Sequence, residues 1–364
     1  MMNTSGNKIV AVGMSGGIDS TIAAYVLKEK GFTVVGLTMK IWDDSIRCET
    51  SRSGCYGPNE ASDIADAKQA ADMLGIKHVV LDLREEYQQT VIDYFRREYA
   101  NGRTPNPCVM CNSRIKFGTL LDRAQSSGIT FEFFATGHYA RVTYDERLMR
   151  YLLMRGVDEA KDQSYFLHRL TQEQLQKIVF PLGAYRKDEV KMMALDSGFG
   201  YYMDKPESQD FIEWDNYGTL LEKPARPGNI RDLDGNIIGT HRGIEFYTVG
   251  QRRMLNLAGM KEPFYVIRIE TERNEIIAGP KRYLMSSSLV ATDLHWIVPL
   301  EEYSSVQLRA KIRSTAAPAE CIVSPLAENK ARVQFAVPQE SITPGQSVVF
   351  YADDVVLGGG VIER

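Results

Sequence analysis

The sequence predicts an α/β N-terminal domain on a doubly wound parallel sheet, a small mostly-β central domain and a C-terminal β-barrel. Three observations predict this. Up to about residue 200, apolar runs of strand length alternate with stretches of helical spacing, the pattern of strands joined by crossover helices. The first run, Ile9-Val10-Ala11-Val12, leads straight into a Gly-rich loop and a helix. From about Met203 turn residues become dense and short alternating runs replace the helical spacing. A chain of 364 residues can bury two or three cores. The expected domains are 1–205, 206–283 and 284–364.

The loop reads Gly13-Met14-Ser15-Gly16-Gly17-Ile18-Asp19-Ser20. Thr21 to Leu27 has helical spacing, and Lys30-Gly31 ends it as a C-cap. Gly16 and Gly17 let the backbone turn tightly and approach a ligand without an intervening Cβ. Free N–H groups of the loop and the helix N-terminus favour an anion such as phosphate. The Gly-Lys-Ser/Thr of a Walker loop is absent, and the glycine spacing is not that of a dinucleotide fingerprint. A second strand follows at 32–39. Ligands of open α/β sheets lie beyond the C-terminal strand ends, so Met39 is expected beside whatever the loop holds, against an adenine.

Residues 43–60 read as irregular. Helical spacing returns at 61–74, a third strand at 77–81 and an amphipathic helix at 87–99. Then comes Thr104-Pro105-Asn106-Pro107-Cys108-Val109-Met110-Cys111-Asn112, an extended turn opening a helix that runs through Leu121. A strand at 131–136 ends in Gly137-His138. A further element starts at Tyr151, and Lys161-Asp162-Gln163-Ser164-Tyr165 follows it. A helix at 187–197 closes the alternating region. Beyond it, 264–269 and 275–279 read as a hairpin, and 306–312, 331–335 and 347–351 as barrel strands.

The 43 basic and 47 acidic residues leave a formal charge of −4, so any nucleic-acid contact must come from a local basic face. Arg96, Arg97, Arg103, Arg114 and Lys116 flank the Cys-x-x-Cys and are expected to form such a rim and to favour a thiolate. No signal peptide or membrane-length apolar run is visible, which points to the cytoplasm and away from membranes. Five cysteines, an odd and sparse set, argue for thiol or metal chemistry rather than a disulfide scaffold.

The Ser-Gly-Gly-Ile-Asp-Ser loop resembles the pyrophosphate loop of the PP-loop ATP-pyrophosphatases. Together with Thr104 to Asn112, Ala135-Thr136-Gly137-His138-Tyr139, Lys161 to Tyr165 and Thr248-Val249-Gly250-Gln251-Arg252, it resembles the tRNA 2-thiouridylases, the MnmA family, across nearly the whole chain. That resemblance implies replacement of the C2 oxygen of a tRNA wobble uridine by sulfur, using ATP and Mg2+ to adenylate the oxygen first. By family position, Gly13, Met14, Ser15, Gly16, Gly17, Ile18, Asp19 and Ser20 hold the phosphates, and Met39 and Gly137 line the nucleotide. Asn106, Pro107 and Cys108 face the target base. His138, Lys161, Asp162, Gln163, Arg313, Ser314 and Gln346 contact the tRNA, through its anticodon stem-loop. The barrel is expected to grip the tRNA. A base of this kind is reachable only when flipped out of a single-stranded loop.

The sequence departs from the family at one point. Cys111 matches the family's nucleophile, but the downstream cysteine of a Ser-x-x-Ile-Cys-Phe-like segment is missing: the chain reads Ser208-Gln209-Asp210-Phe211-Ile212-Glu213 there. The two-cysteine persulfide relay therefore does not carry over unchanged. Three thiolates can hold a 4Fe–4S cluster with one iron open, and Cys55, Cys108 and Cys111 are the candidate set. A persulfide on Cys111 or Cys108 alone, a zinc site at that pair and a purely structural pair stay open beside it. Cys48 and Cys321 read as bystanders. The sulfur donor is a cysteine desulfurase relay or inorganic sulfide. Competing readings of the whole chain are a PP-loop ligase of the argininosuccinate synthase kind, a tRNA-binding paralogue without catalysis, and a thiolase acting on another tRNA position.

Overall fold

A computed structural model describes residues 8–43, 45–46, 53–203, 205, 210–214, 217–221, 225–300, 305–327 and 329–363. Cys48 and residues 206–209 lie outside them. The chain divides into two compact units. One comprises 1–90, 108–215 and 354–356, the other 91–107, 216–353 and 357–364.

The first unit is built on β1 (Ile9–Gly13), α1 (Ile18–Glu29), β2 (Thr33–Lys40), β3 (Gly54–Tyr56), α2 (Glu60–Leu74), β4 (Lys77–Asp82), β5 (Phe133–Ala135), β6 (Ala140–Asp145), β7 (Arg150–Arg155), β8 (Ile178–Val179) and β9 (Asp210–Ile212). Five strands form one parallel sheet in the order β4-β2-β1-β5-β8. Val10, Ala11 and Val12 are fully buried because helices cover both faces of β1, which explains its unbroken apolar run. α1 contributes Ile22, Ala23, Val26 and Leu27 to the same core as Ala67, Ala70, Ala71 and Leu74 of α2. Burial of each larger aliphatic side chain there contributes about 1.5–3 kcal/mol. Gly75, in left-handed conformation at φ 62°, ends α2 where a side chain would be strained.

Two elements differ from the sequence reading or complete it. Within the stretch expected to be irregular, β3 forms and pairs in parallel with β9, Gly54 opposite Asp210 and Tyr56 opposite Ile212. A three-residue strand whose partner lies some 150 residues away has no local signature. The element that the sequence reading starts at Tyr151 without assigning its type is the strand β7. It turns back antiparallel on β6, and Met154 and Leu153 then pair with Val355 and Val356. The helices around the cysteines also deviate. Gln88–Ile92 and Cys111–Thr119 are π-helical, the second inserted between Pro107–Met110 and Leu120–Ser126. Gln174 Nε2 donates to the carbonyls of Ser113 (3.1 Å) and Phe117 (2.8 Å), and Thr119 Oγ1 donates to that of Arg114 (3.1 Å). These bonds satisfy carbonyls that a widened helix presents poorly to its own N–H groups.

The second unit holds β10 (Gly228–Arg231), β11 (Ile237–His241), β12 (Phe264–Glu270) and β13 (Glu275–Pro280) in the order β11-β10-β13-β12. The expected 264–269/275–279 hairpin is the β12–β13 pair. Its core gathers Ile230, Tyr247, Val266, Ile276 and Ala278. The remaining strands are β14 (Met285–Trp296), β15 (Val306–Lys311), β16 (Ala319–Ala327), β17 (Lys330–Glu340), β18 (Ser347–Ala352) and β19 (Val355–Ile362). They run β14-β17-β16-β15-β18-β19 and close through β14–β19 pairing, a barrel without free edges.

Candidate active site

The strand order places a topological switch point between β1 and β5, where chain direction diverges and a crevice opens at the carboxyl ends. The Gly-rich loop leaves β1 at that point. Gly16 sits at φ +73°, and a Cβ on it would lie 2.4 Å from the Asp63 carbonyl oxygen, so only glycine fits. Ser20 Oγ accepts from the Ser15 N–H at 3.1 Å and donates to the Gly17 carbonyl at 3.0 Å, and Thr21 Oγ1 donates to the same carbonyl at 3.0 Å. Gly17 caps α1 without a side-chain acceptor, which leaves first-turn N–H groups available to an anion. Gly137, just past β5, closes the other wall. A Cβ there would stand 2.7 Å from the Asp19 backbone carbon and 2.9 Å from the Ser20 nitrogen. Met39 is half-buried near the end of β2.

Asp19 is held by groups that sequence reading did not single out. Lys187 Nζ donates to both carboxylate oxygens at 2.7 and 2.8 Å, and the Tyr139 hydroxyl donates to Oδ1 at 2.8 Å. The Lys187 side chain is only 9% exposed. A buried ammonium is costly unless paired, so its place against the loop is built rather than incidental. Opposite, Lys205 Nζ bonds Asp63 (2.7 Å), Asp66 (2.6 Å) and the Gly16 carbonyl (3.3 Å). Neither lysine stands in a recognisable motif; each is marked only by its three-dimensional position.

Cys111, Cys55 and Cys108 all lie near enough to Tyr87, a buried phenol, to act on it electrostatically. Burial first, then the facing thiols of Cys111, Cys55 and Cys108, drive its pKa well above the usual phenol value. Tyr87 donates a hydrogen bond to the Cys111 sulfur. That bond and Lys116 favour the thiolate, yet burial outweighs both, and with the charge of Cys55 it pushes the thiol up to about 11. The expected thiolate-favouring basic rim is thereby corrected: desolvation dominates at Cys111. Cys55 is exposed, on β3, and Cys108 and Cys111 are half-buried. The neighbouring Tyr56 ring stacks on Tyr87 (5.4 Å) and on Phe211 of β9 (6.0 Å). Counted from Ser208, the family's downstream cysteine falls at Ile212, which pairs with Tyr56, the neighbour of Cys55. Cys55 therefore lies on the adjoining strand one residue from that pairing, exposed where Tyr56 and Ile212 are buried. Thiols are the right donors for an iron–sulfur cluster. At their present spacing, however, no group of three or more His, Cys, Asp or Glu side chains among the described residues is arranged to hold a metal, so no chemical step is derived through one. Cys321 is buried in the barrel and pushed up to about 12 by burial, an inert thiol.

The residues expected to contact tRNA differ in what they leave exposed. The Asp162 side chain is 1% exposed. It accepts from the Gly156 and Ser164 N–H groups and the Ser164 hydroxyl, each at 3.1 Å, so a direct contact of its carboxylate with tRNA is unavailable in this arrangement. Gln163 Oε1 accepts the Tyr139 N–H at 3.0 Å and Lys161 is half-buried. His138 bonds Thr136 Oγ1 through Nδ1 at 2.7 Å between the rings of Phe117 and Phe180. Arg313 is exposed, with Nη2 on the Glu340 (2.6 Å) and Ser341 (3.3 Å) carbonyls, and Ser314 is half-buried. Asn106 and Pro107 are buried. Of the basic rim, Arg97 and Arg114 are exposed, whereas Arg96 bonds the Leu220 carbonyl (2.6 Å) and Arg103 pairs with Glu98 (2.8 Å).

His138 is pushed well below its ordinary 6.5 by burial and then by Lys116; His78 and His241 are lowered too, chiefly by burial. The fold therefore holds the neutral imidazoles. Stability from this source is complete above the unfolded-state value of about 6.5 and falls as pH drops through it, because only the unfolded chain then takes up protons. Glu213, raised by burial, acts in the opposite sense. Thermal unfolding from pH 7.5 to 5.5 is expected to show a falling Tm, with a smaller fall in His138→Gln; an unchanged slope in that variant would refute the assignment.

The loop at a switch point between β1 and β5 makes the first unit a nucleotide-binding domain of the PP-loop class. Comparison with known proteins narrows the class. Residues 8–213 match a family described as the tRNA methyl transferase HUP domain, 220–280 the tRNA methyl transferase PRC-barrel domain and 286–362 the aminomethyltransferase β-barrel domain. The chain is 44% identical to tRNA-specific 2-thiouridylase MnmA 2 of Thermoanaerobacter sp. (strain X514), over 98% of each chain. It is 44% identical to the MnmA of Acetivibrio thermocellus, over 98% of this chain and 99% of that one, and 43% identical to that of Carboxydothermus hydrogenoformans, over all of both. The chain belongs to the tRNA-specific 2-thiouridylase family, MnmA. Among the described residues no helix is long and apolar enough to cross a membrane.

Proposed function

We propose that this protein is an ATP-dependent tRNA-uridine 2-sulfurtransferase that acts in the cytoplasm on the wobble uridine of the anticodon loop. The observation that carries the reading is the pyrophosphate loop with Asp19 and Lys187 in the same unit as Cys55, Cys108 and Cys111. An amide-like C2 oxygen is a poor leaving group. Attack of that oxygen on the α-phosphorus of ATP releases pyrophosphate and turns it into an adenylate. Residues 13–20 cradle the phosphates with Mg2+, Met39 and Gly137 line the nucleotide, and Asn106, Pro107 and Cys108 face the base. Segment 1–205 performs the activation, and 206–283 and 284–364 hold the tRNA, through Arg313 and Ser314 among others.

Sulfur then enters from a persulfide on Cys111. Its terminal sulfur attacks C2, and AMP leaves with the original oxygen. Cys55 next attacks the Cys111 sulfur, so that a Cys55–Cys111 disulfide forms, the C2 thiocarbonyl is released, and an external thiol reduces the disulfide. Both thiols belong to the same compact unit, which this pairing requires. A 4Fe–4S cluster on Cys55, Cys108 and Cys111 is a second reading, which rests on the thiol chemistry of the three and would require them to draw closer than they stand. When bound, it would supply an open iron for sulfide delivered by a desulfurase relay or as the inorganic ion.

The test supplies unmodified tRNA, ATP and Mg2+ to anaerobically purified protein, with a cysteine desulfurase relay and its cysteine substrate in one arm and inorganic sulfide in the other, and digests the tRNA for nucleoside analysis. Formation of 2-thiouridine at the wobble position is expected. Product at another position would overturn the substrate assignment, and tRNA binding without product would favour a non-catalytic paralogue. Iron and acid-labile sulfide assays separate the two carriers: product from iron-free protein fed by the desulfurase relay supports the persulfide, and product only with iron supports the cluster.

A further inference from the structure

Residues 104–106 lead into and include Asn106, which with Pro107 and Cys108 is read above as facing the target base, and they are poorly equipped to hold themselves in place. Pro105 and Pro107 have no N–H, and residues 103–106 belong to no helix or strand, so their carbonyls need donors from elsewhere. The donors come from the second unit, to which 91–107 belong. Gln346 Nε2 donates to the carbonyls of both Thr104 (3.1 Å) and Pro105 (2.9 Å). The Thr104 N–H donates to the Pro344 carbonyl at 2.8 Å, and Thr104 Oγ1 bonds Thr248 Oγ1 at 3.1 Å. The Asn106 N–H donates to the Tyr94 hydroxyl at 3.2 Å.

The turn that presents Gln346 is itself fixed. The Gly345 N–H donates to the Ile362 carbonyl, and the Gln346 carbonyl accepts the Ile362 N–H, both at 2.8 Å. Gly345 has φ +91°, and a Cβ on it would stand 2.8 Å from the Thr104 oxygen and 2.9 Å from the Thr104 nitrogen. The turn thus meets the segment at backbone contact distance, which a side chain at 345 would prevent.

We propose that Gln346, presented by Gly345, is a positioning residue that sets the place of residues 104–106 for the reaction. The inference rests on the reading that this segment faces the base. It assigns Gln346 a different role from the tRNA contact that family position implies. The carboxamide nitrogen serves two protein carbonyls, and its loss leaves both without that donor. A segment that shifts by about an ångström lowers turnover far more than binding.

The experiment measures wobble thiolation at saturating tRNA, tRNA dissociation constants without ATP, and amide hydrogen exchange, in wild type and in Gln346→Ala, Gln346→Glu and Gly345→Ala. Glutamate keeps the size and removes the donor. Expected are about 10- to 100-fold lower kcat, tRNA affinity within about twofold, and about tenfold faster exchange at Thr104 and Asn106 in all three variants. Exchange in β14 and β17 serves as the control for intact folding. Weaker tRNA binding with kcat retained at saturation would make Gln346 a tRNA contact and overturn the proposal, as would unchanged exchange at Thr104 and Asn106. Absence of 2-thiouridine from the wild type would instead sink the functional reading, and the exchange arm would still decide whether Gln346 orders the segment.

Discussion

Lys187→Met is expected to lower wobble thiolation by about 100- to 1,000-fold while tRNA affinity holds. The ammonium is bound by both oxygens of Asp19, on the loop proposed to receive the polyphosphate. As pyrophosphate leaves, negative charge builds on its oxygens. A preorganised cation in a water-poor site is worth about 3–4 kcal/mol to such a transition state. Lys187 is placed for this because three constraints converge on it. Its backbone N–H is anchored to Asp158 Oδ2 (2.9 Å), its stem is buried, and Asp19 aims its head. Lys187→Arg keeps the charge but not the compact head, so an intermediate loss is expected. The assay is single-turnover thiolation alongside ATP–pyrophosphate exchange, and both should fall together. Activity within threefold of wild type in the Met variant would reduce Lys187 to a structural partner of Asp19.

The second large effect is expected at the thiols. Cys111→Ser should abolish thiolation, by a factor of at least about 1,000, while tRNA-dependent release of pyrophosphate continues, because activation precedes the sulfur step. Cys55→Ser should retain a single turnover from preloaded persulfide when an external thiol is present and lose multiple turnovers without it. Under the cluster reading, the same variant loses bound iron and all product together. Cys321→Ser should leave both steps untouched, since that thiol is buried in the barrel. The high pKa of Cys111 adds a kinetic signature. With the thiol pushed up to about 11, little thiolate exists at neutral pH, so alkylation of Cys111 should accelerate steadily from pH 7 to 10. A plateau below pH 8 would show that the free protein already holds the thiolate.

Much of this protein was legible in residue order because its central chemistry is local. The loop, its strand and its helix are consecutive, and their glycines are demanded by backbone conformation and close approach, which a sequence records directly. The alternation of strand and helix likewise announces the parallel sheet, because both periodicities are short-range. The Cys-x-x-Cys pair and the missing downstream cysteine were equally plain.

Tertiary structure alone decided the rest, wherever partners lie far apart in the chain. The β3–β9 pairing brings Cys55 beside the segment that lacks its cysteine, and only then does Tyr87 lie within electrostatic reach of three thiols. Asp162 and Gln163 look like surface recognition residues in sequence, yet their polar atoms satisfy buried backbone groups. Lys187 and Lys205 carry no motif, and the family position of Gln346 says nothing of its protein partners, because a donor finds its acceptors 139 to 242 residues away by packing rather than by spacing. Desolvation of Cys111, which outweighs the basic residues around it, depends on what surrounds the sulfur in space and has no counterpart in residue order.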